Sequence, residues 1–123
     1  MLVLFDNGTP RTLARYLIDH HMVTEARARG WEELGNGDLL KEAEAAGFEV
    51  LVTTDKNLGY QQNLAGRKIA IVVLGKGRWS LIKPHVAKVV EAVTAAPPGS
   101  FTEVEIPQET TTKEQSLRKI SRP

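Results

Sequence analysis

The sequence predicts an α/β protein, a three-layer α/β/α sandwich around a mainly parallel central sheet. Three observations predict it. Apolar runs recur at Leu2–Phe5, Phe48–Thr53 and Lys68–Leu74, continuous rather than alternating, as in strands buried on both faces. Segments of helical spacing fall between them. The resulting order, βαβαβαβαβ, closes through right-handed crossovers into a parallel sheet covered by helices.

Taken in order, Leu2–Phe5 is the first strand. Thr9 reads as a helix cap, with Pro10 at the first helical position. That helix is expected to run to Asp19, burying Leu13, Tyr16 and Leu17. His20–Thr24 is a short second strand, and Glu25–Gly35 reads as a loop. Asn36 caps the second helix, whose apolar face is Leu39, Leu40, Ala43 and Ala46, and Gly47 stops it. Phe48–Thr53 is the third strand, Asn57–Leu64 a short helix, and Lys68–Leu74 the fourth strand. Gly75-Lys76-Gly77-Arg78 is a basic turn. Ser80–Ala95 is a helix with Pro84 awkward in its interior, so its regular part is expected from about Lys83. Val86, Val89, Val90 and Val93 form its inner face. Phe101–Ile106 alternates like an edge strand. Residues 1–107 thus read as one domain, and 108–123, poor in apolar residues, as a tail that is flexible or ordered by a partner.

Composition bounds the chemistry. At 123 residues and 41% hydrophobic, one domain with its own core is expected. There are no cysteines, which excludes disulfides, zinc–thiolate sites and thiol catalysis. A formal net charge of +1 is not that of a protein held to nucleic acid by bulk charge. No apolar run reaches the ~18 residues of a membrane span. No basic leader precedes an apolar stretch. A soluble cytoplasmic protein is expected.

The chemistry concentrates on carboxylates. Asp6 ends the first strand and Asp55 follows the third, so a parallel sheet sets both at its C-terminal edge, where open α/β sheets bind ligands. Asp38, in the first turn of the second helix, is the third candidate. The helix dipole favours an acid there whatever its function. Three carboxylates brought together repel, at ~4 Å by several kcal/mol per pair at an intermediate dielectric, and a hard cation is the usual remedy. Oxygen ligands suit Mg²⁺ or Mn²⁺, and Mg²⁺ shares its shell with phosphate oxygens. Against this stands the ordinary use of acids as caps and solubilisers at strand and helix ends.

Leu4-Phe5-Asp6-Asn7-Gly8-Thr9-Pro10, Gly30-Trp31, Asn36-Gly37-Asp38-Leu39-Leu40 and Val50-Leu51-Val52-Thr53-Thr54-Asp55-Lys56-Asn57 together resemble the small PIN-like domain family, linked to VapC-type toxins of toxin–antitoxin systems. The resemblance spans roughly residues 1–95. It implies a PIN-like α/β/α ribonuclease using Mg²⁺ or Mn²⁺, an RNA substrate and an antitoxin partner. By position it implies that Asp6, Asp38 and Asp55 are catalytic and metal-binding. Two positions depart from the family pattern: Asn7 stands where Glu is frequent, and Asn57 where a further Asp is. Both can offer a carbonyl oxygen but no charge, which lowers the expected metal affinity.

Around the acids, Asn7, Thr54 and Asn57 are expected to support the site, with Thr53 or Thr54 a candidate to hydrogen-bond a carboxylate or the scissile phosphate, although a β-branched residue finishing a strand explains either at least as well. Lys56, Lys76 and Arg78 follow strands on the same edge and are candidates for RNA phosphates, although solvated loop charge explains each as well. Gly75-Lys76-Gly77 lacks the spacing of a phosphate-binding loop. Arg11 and Arg15 read equally as backbone contacts or a solvated helix face. His20 and His21 are consecutive and make a poor metal pair. Trp31 and Trp79 are expected to pack rather than stack on bases. Free strand edges and an apolar helix face allow a homodimer. Lys113, Arg118, Lys119 and Arg122 outnumber Glu109 and Glu114 in the tail, which allows RNA or partner contact.

Two other classes compete. One is a PIN-like binding module with weakened catalysis, supported by Asn7 and Asn57. The other is a receiver-like signalling domain with Asp55 phosphorylated. Such a domain wants an acidic pair after strand one, Ser or Thr after strand four and Lys after strand five, where this sequence reads Asp6-Asn7, Leu74-Gly75 and Ile106-Pro107.

Overall fold

The computed structural model describes residues 1–56 and 66–107. Five strands form one sheet: β1 (Leu2–Phe5), β2 (Met22–Glu25), β3 (Val50–Thr53), β4 (Ala70–Leu74) and β5 (Phe101–Val104). Their spatial order is β2-β1-β3-β4-β5, and every neighbouring pair is parallel. From β1 the chain moves outward to β2, then returns across β1 to β3 and continues the other way. The direction of winding therefore reverses between β1 and β3, and such a reversal opens a crevice at the C-terminal ends of those strands.

Both faces of the sheet are apolar and covered. Val3, Phe5, Val50, Val52, Val72 and Leu74 pack on one side with Leu13, Leu17, Ile82, Val89 and Val93. Leu4, Leu51, Ile71 and Val73 pack on the other with Leu39, Leu40, Ala43 and Phe48. The period of two along each strand thus serves two cores, which is why the runs are continuous in sequence.

The helices are α1 (Asn36–Ala45), α2 (Trp79–Ile82) and α3 (Val86–Ala95), with 3-10 segments at Arg11–Tyr16, Ala26–Arg29 and Lys83–His85. α1 ends in a two-bond glycine cap. Gly47 has φ 91°, its N–H donates to Glu44 O, and Phe48 N–H donates to Ala43 O.

Several expectations need correcting. The first helix is a 3-10 segment, shorter than Pro10–Asp19. Thr9 does not cap it: its hydroxyl donates to Val52 O on β3 at 2.9 Å, because Thr9 is buried against that strand end. Tyr16 is 40% exposed rather than in the core, its ring tilted against Trp79 with centroids 5.7 Å apart. The Glu25–Gly35 loop contains the Ala26–Arg29 turn. Gly35, not Asn36, occupies the cap position of α1, and Asn36 is its first residue. Pro84, which has no N–H to donate, falls in the 3-10 turn, so α3 starts at Val86 rather than Lys83. Phe101 lies out of phase with Val104 and Ile106, so those two are buried while Phe101 is 37% exposed. The expected Asn57–Leu64 helix and the 108–123 tail lie outside the described residues. Among the described residues no helix is long and apolar enough to cross a membrane.

Candidate functional site

The site is built where β1 and β3 end. In the parallel register Phe5 lies beside Val52, so the next pair along is Asp6 and Thr53. Asp6 follows Leu4 by two residues and Thr53 follows Leu51 by two, which puts both on the sheet face that α1 covers.

Thr53 joins the two acid-bearing strand ends. Its side chain is fully buried. Its hydroxyl donates to Asp6 Oδ2 at 2.8 Å and accepts the Asp55 backbone N–H at 3.1 Å. A hydroxyl has one proton and two lone pairs, so it serves a carboxylate and an amide at once. The three groups run N–H to O–H to carboxylate, and each bond polarises the next. The other Asp6 oxygen, Oδ1, accepts the Asn7 backbone N–H at 2.8 Å. Asp6 N–H itself donates to Val52 O at 2.9 Å. Both oxygens of Asp6 are therefore held, while the residue stays half-buried at the edge.

The loops around this point pack closely. A Cβ at Gly8 would stand 2.6 Å from Thr54 Oγ1, so only glycine lets the β1 loop approach the β3 loop unshifted. A Cβ at Gly77, in the loop after β4, would stand 3.3 Å from Gly8 O. The Asn7 side-chain amide donates to Glu32 O at 2.7 Å, which ties the segment before α1 to the same edge.

The sequence-derived candidates fall as follows. Asp6 and Asp55 are brought together through Thr53, both half-buried. Asp38 is in the first turn of α1 and is exposed there. Among the described residues no group of three or more His, Cys, Asp or Glu side chains could hold a metal ion between them. Asn7 contributes through its backbone N–H and a bond to a carbonyl. Thr54 is half-buried against Gly8, and it is Thr53 that bonds the carboxylate. Asn57 lies outside the described residues. Lys56 is exposed, its stem 3.8 Å from a Cβ at Gly75. Lys76 is half-buried and Arg78 exposed in the turn after β4. These three cations flank Asp55 on the β4 side.

Nothing in the sequence alone singles out Arg27, and Arg11 reads there in two ways. Both line a small cleft of about 40 Å³ beside Asp6, on the β2 side of the edge. Arg11 Nε is 2.8 Å from Glu25 Oε2. Glu25 ends β2 and pairs in register with Phe5, the residue before Asp6. Once β2 is known to neighbour β1, that register alone points to Glu25. Trp31 packs edge-on against Phe48, with centroids 6.1 Å apart, and Arg29 lies over its ring at 4.6 Å.

The donor set is oxygen throughout: two carboxylates, hydroxyls and backbone carbonyls. Mg²⁺ is ordinarily held by one or two carboxylates together with substrate phosphates and water, rather than by a full protein cage. Asp6 and Asp55, on neighbouring strand ends, fit that mode by their residue types, while Asp38 comes from the first turn of α1. No family model matches the sequence, and no curated protein or solved structure matches it.

Proposed function

We propose that this chain is a PIN-like, metal-dependent ribonuclease that hydrolyses RNA phosphodiester bonds, acting as the toxin of a toxin–antitoxin pair. The observation that carries the proposal is the Thr53 hydroxyl joining the Asp6 carboxylate to the Asp55 backbone at the β1/β3 reversal. A carboxylate held at both oxygens, with a second acid on the neighbouring strand end, suits phosphoryl chemistry with a divalent cation at that crevice.

In this reading Asp6 and Asp55 hold Mg²⁺ or Mn²⁺, and Asp38 sits at the rim, where it orients water or substrate. When bound, the cation supplies Lewis acidity to the attacking water and to the scissile phosphate. Thr53 keeps Asp6 aimed, because its hydroxyl donates to one carboxylate oxygen while the Asn7 N–H holds the other. Lys56, Lys76 and Arg78 receive backbone phosphates on the β4 side. An antitoxin would act by covering this edge.

The test is cleavage of single-stranded RNA with Mg²⁺ or Mn²⁺, against EDTA and against Asp6→Asn. Metal-dependent cleavage that falls in Asp6→Asn to the EDTA level is expected. Equal cleavage by both proteins overturns the assignment.

A second reading, a PIN-like binding module without catalysis, draws on two observations. Asn7 is occupied by Glu32 O, and no three-acid group forms among the described residues. A folded wild-type protein that binds RNA but never cleaves it would favour this reading. The strand order is also that of receiver-like domains. Leu74-Gly75 after β4 and Ile106-Pro107 after β5 lack the hydroxyl and lysine that such a domain uses.

A further inference from the structure

The cleft beside Asp6 contains positive charge that the two-carboxylate centre does not use. Arg11 leads the 3-10 segment after β1, and Arg27 lies in the 3-10 turn after β2, so the parallel pairing of β1 with β2 brings both arginines to one side of Asp6. Glu25 accepts from Arg11 Nε at 2.8 Å, which leaves the two terminal Nη groups of the guanidinium for another acceptor. Among the described residues Arg27 makes no ion pair. Arg29, its neighbour, is placed over Trp31 instead.

The charge lining the cleft points to its occupant. Asp6, Arg11, Glu25 and Arg27 line it together, so the two guanidinium groups meet a ligand beside the Asp6 carboxylate. The ring of Phe5, the one aromatic lining it, is 1% exposed and offers no stacking face. Guanidinium forks are the side chains that best grip the non-bridging oxygens of a phosphate.

We infer that Arg11 and Arg27 form a phosphate subsite for the RNA strand on the β2 side of Asp6, with Glu25 holding Arg11 in place. This rests on the ribonuclease reading and extends it. The edge then presents cations on both sides of the acids: Arg11 and Arg27 beyond Asp6, and Lys56, Lys76 and Arg78 beyond Asp55. An RNA strand laid across the strand ends is gripped on either side of the bond to be cut.

The experiment is binding of a short fluorescent single-stranded RNA in EDTA, followed over a range of salt, for wild type, Arg27→Gln, Arg11→Gln and Lys88→Gln. Lys88 is exposed on α3 and serves as the distant control. Circular dichroism confirms that each variant is folded. Arg27→Gln and Arg11→Gln are each expected to bind roughly tenfold more weakly, and the salt slope to fall by about 0.7 for each phosphate no longer neutralised. Lys88→Gln is expected to match wild type. Wild-type affinity and salt slope in Arg27→Gln overturn the subsite, and so does a weakening in Lys88→Gln equal to that in Arg27→Gln. A parallel wild-type cleavage assay with Mn²⁺ separates the two claims. Cleavage with unaltered binding by both arginine variants leaves the nuclease standing without this subsite. Failure of the wild type to bind RNA overturns the subsite, and failure to cleave as well removes the nuclease reading beneath it.

Discussion

At the level of single residues, Thr53 and His21 make opposite uses of burial. Thr53 is buried with its hydroxyl bonded in both directions, so replacing it with isosteric valine removes two hydrogen bonds without opening a cavity. One of those bonds is to a carboxylate, so Thr53→Val is expected to lower unfolding free energy in urea by about 1–3 kcal/mol. Groups that orient metal ligands typically matter 10- to 100-fold for affinity or activity, so under the proposed nuclease function RNA cleavage is expected to fall by about that factor. Unchanged stability and cleavage would mean that Thr53 positions nothing. His21 is buried with Nε2 3.1 Å from Thr94 Oγ1, while Nδ1 has no partner among the described residues. Burial, aided by the N-terminal ammonium and His20 and opposed by Glu49, lowers its pKa below the usual 6.5. The unfolded chain then takes up the proton first as pH falls. This contribution to stability is complete above about pH 6.5 and is lost as pH drops from there through the lowered folded value. Urea unfolding of wild type is expected to weaken between about pH 7.5 and pH 5.5, and His21→Gln to show a flatter profile. A profile unaltered by the substitution would assign the pH dependence to other groups.

At the level of elements, the site depends on how segments end. Gly47 closes α1 with φ 91°, a conformation that costs an L-residue about 1–2 kcal/mol, and a Cβ there meets nothing closer than Leu2 Cδ1 at 3.9 Å. Gly47→Ala is therefore expected to lower stability by about that amount through backbone strain alone, measured by urea unfolding. Unchanged stability would mean that the cap relaxes. This cap was legible in the sequence, because a glycine after an apolar helical face has few other uses. The same holds for β1, β3 and β4, whose unbroken apolar runs need burial on both sides. The first helix was not legible. Thr9-Pro10 carries a standard start signal, but Thr9 sits where the β3 end passes, and a carbonyl 43 positions away claims its hydroxyl. Local pattern carries no information about such a partner. Phe101 misled for a related reason: its type suggested burial, while its phase against Val104 and Ile106 put it on the other face.

At the scale of the whole molecule, strand order decides what meets what. Asp6 and Asp55 could be assigned to one edge from sequence, because parallel strands align their C-terminal ends. That Thr53, not Thr54, faces Asp6 depends on the register of β1 against β3, which two short strands do not fix by themselves. That Arg27 stands near Asp6 depends on β2 pairing with β1, and a short mixed strand gives no sign of its neighbour. Asp38 shows how far position in sequence carries: helix α1 packs on the expected face, yet its first-turn acid forms no metal-holding group with the other two. Ion binding is thus expected to depend strongly on Asp6 and Asp55 and only weakly on Asp38. The most direct measurement is calorimetric titration of Mn²⁺ into wild type, Asp6→Asn, Asp55→Asn and Asp38→Asn, each checked for folding. One ion is expected to bind wild type, with binding abolished in Asp6→Asn and Asp55→Asn and largely kept in Asp38→Asn. Unaltered binding in Asp6→Asn, or none in the folded wild-type protein, would contradict a metal centre at the β1/β3 edge.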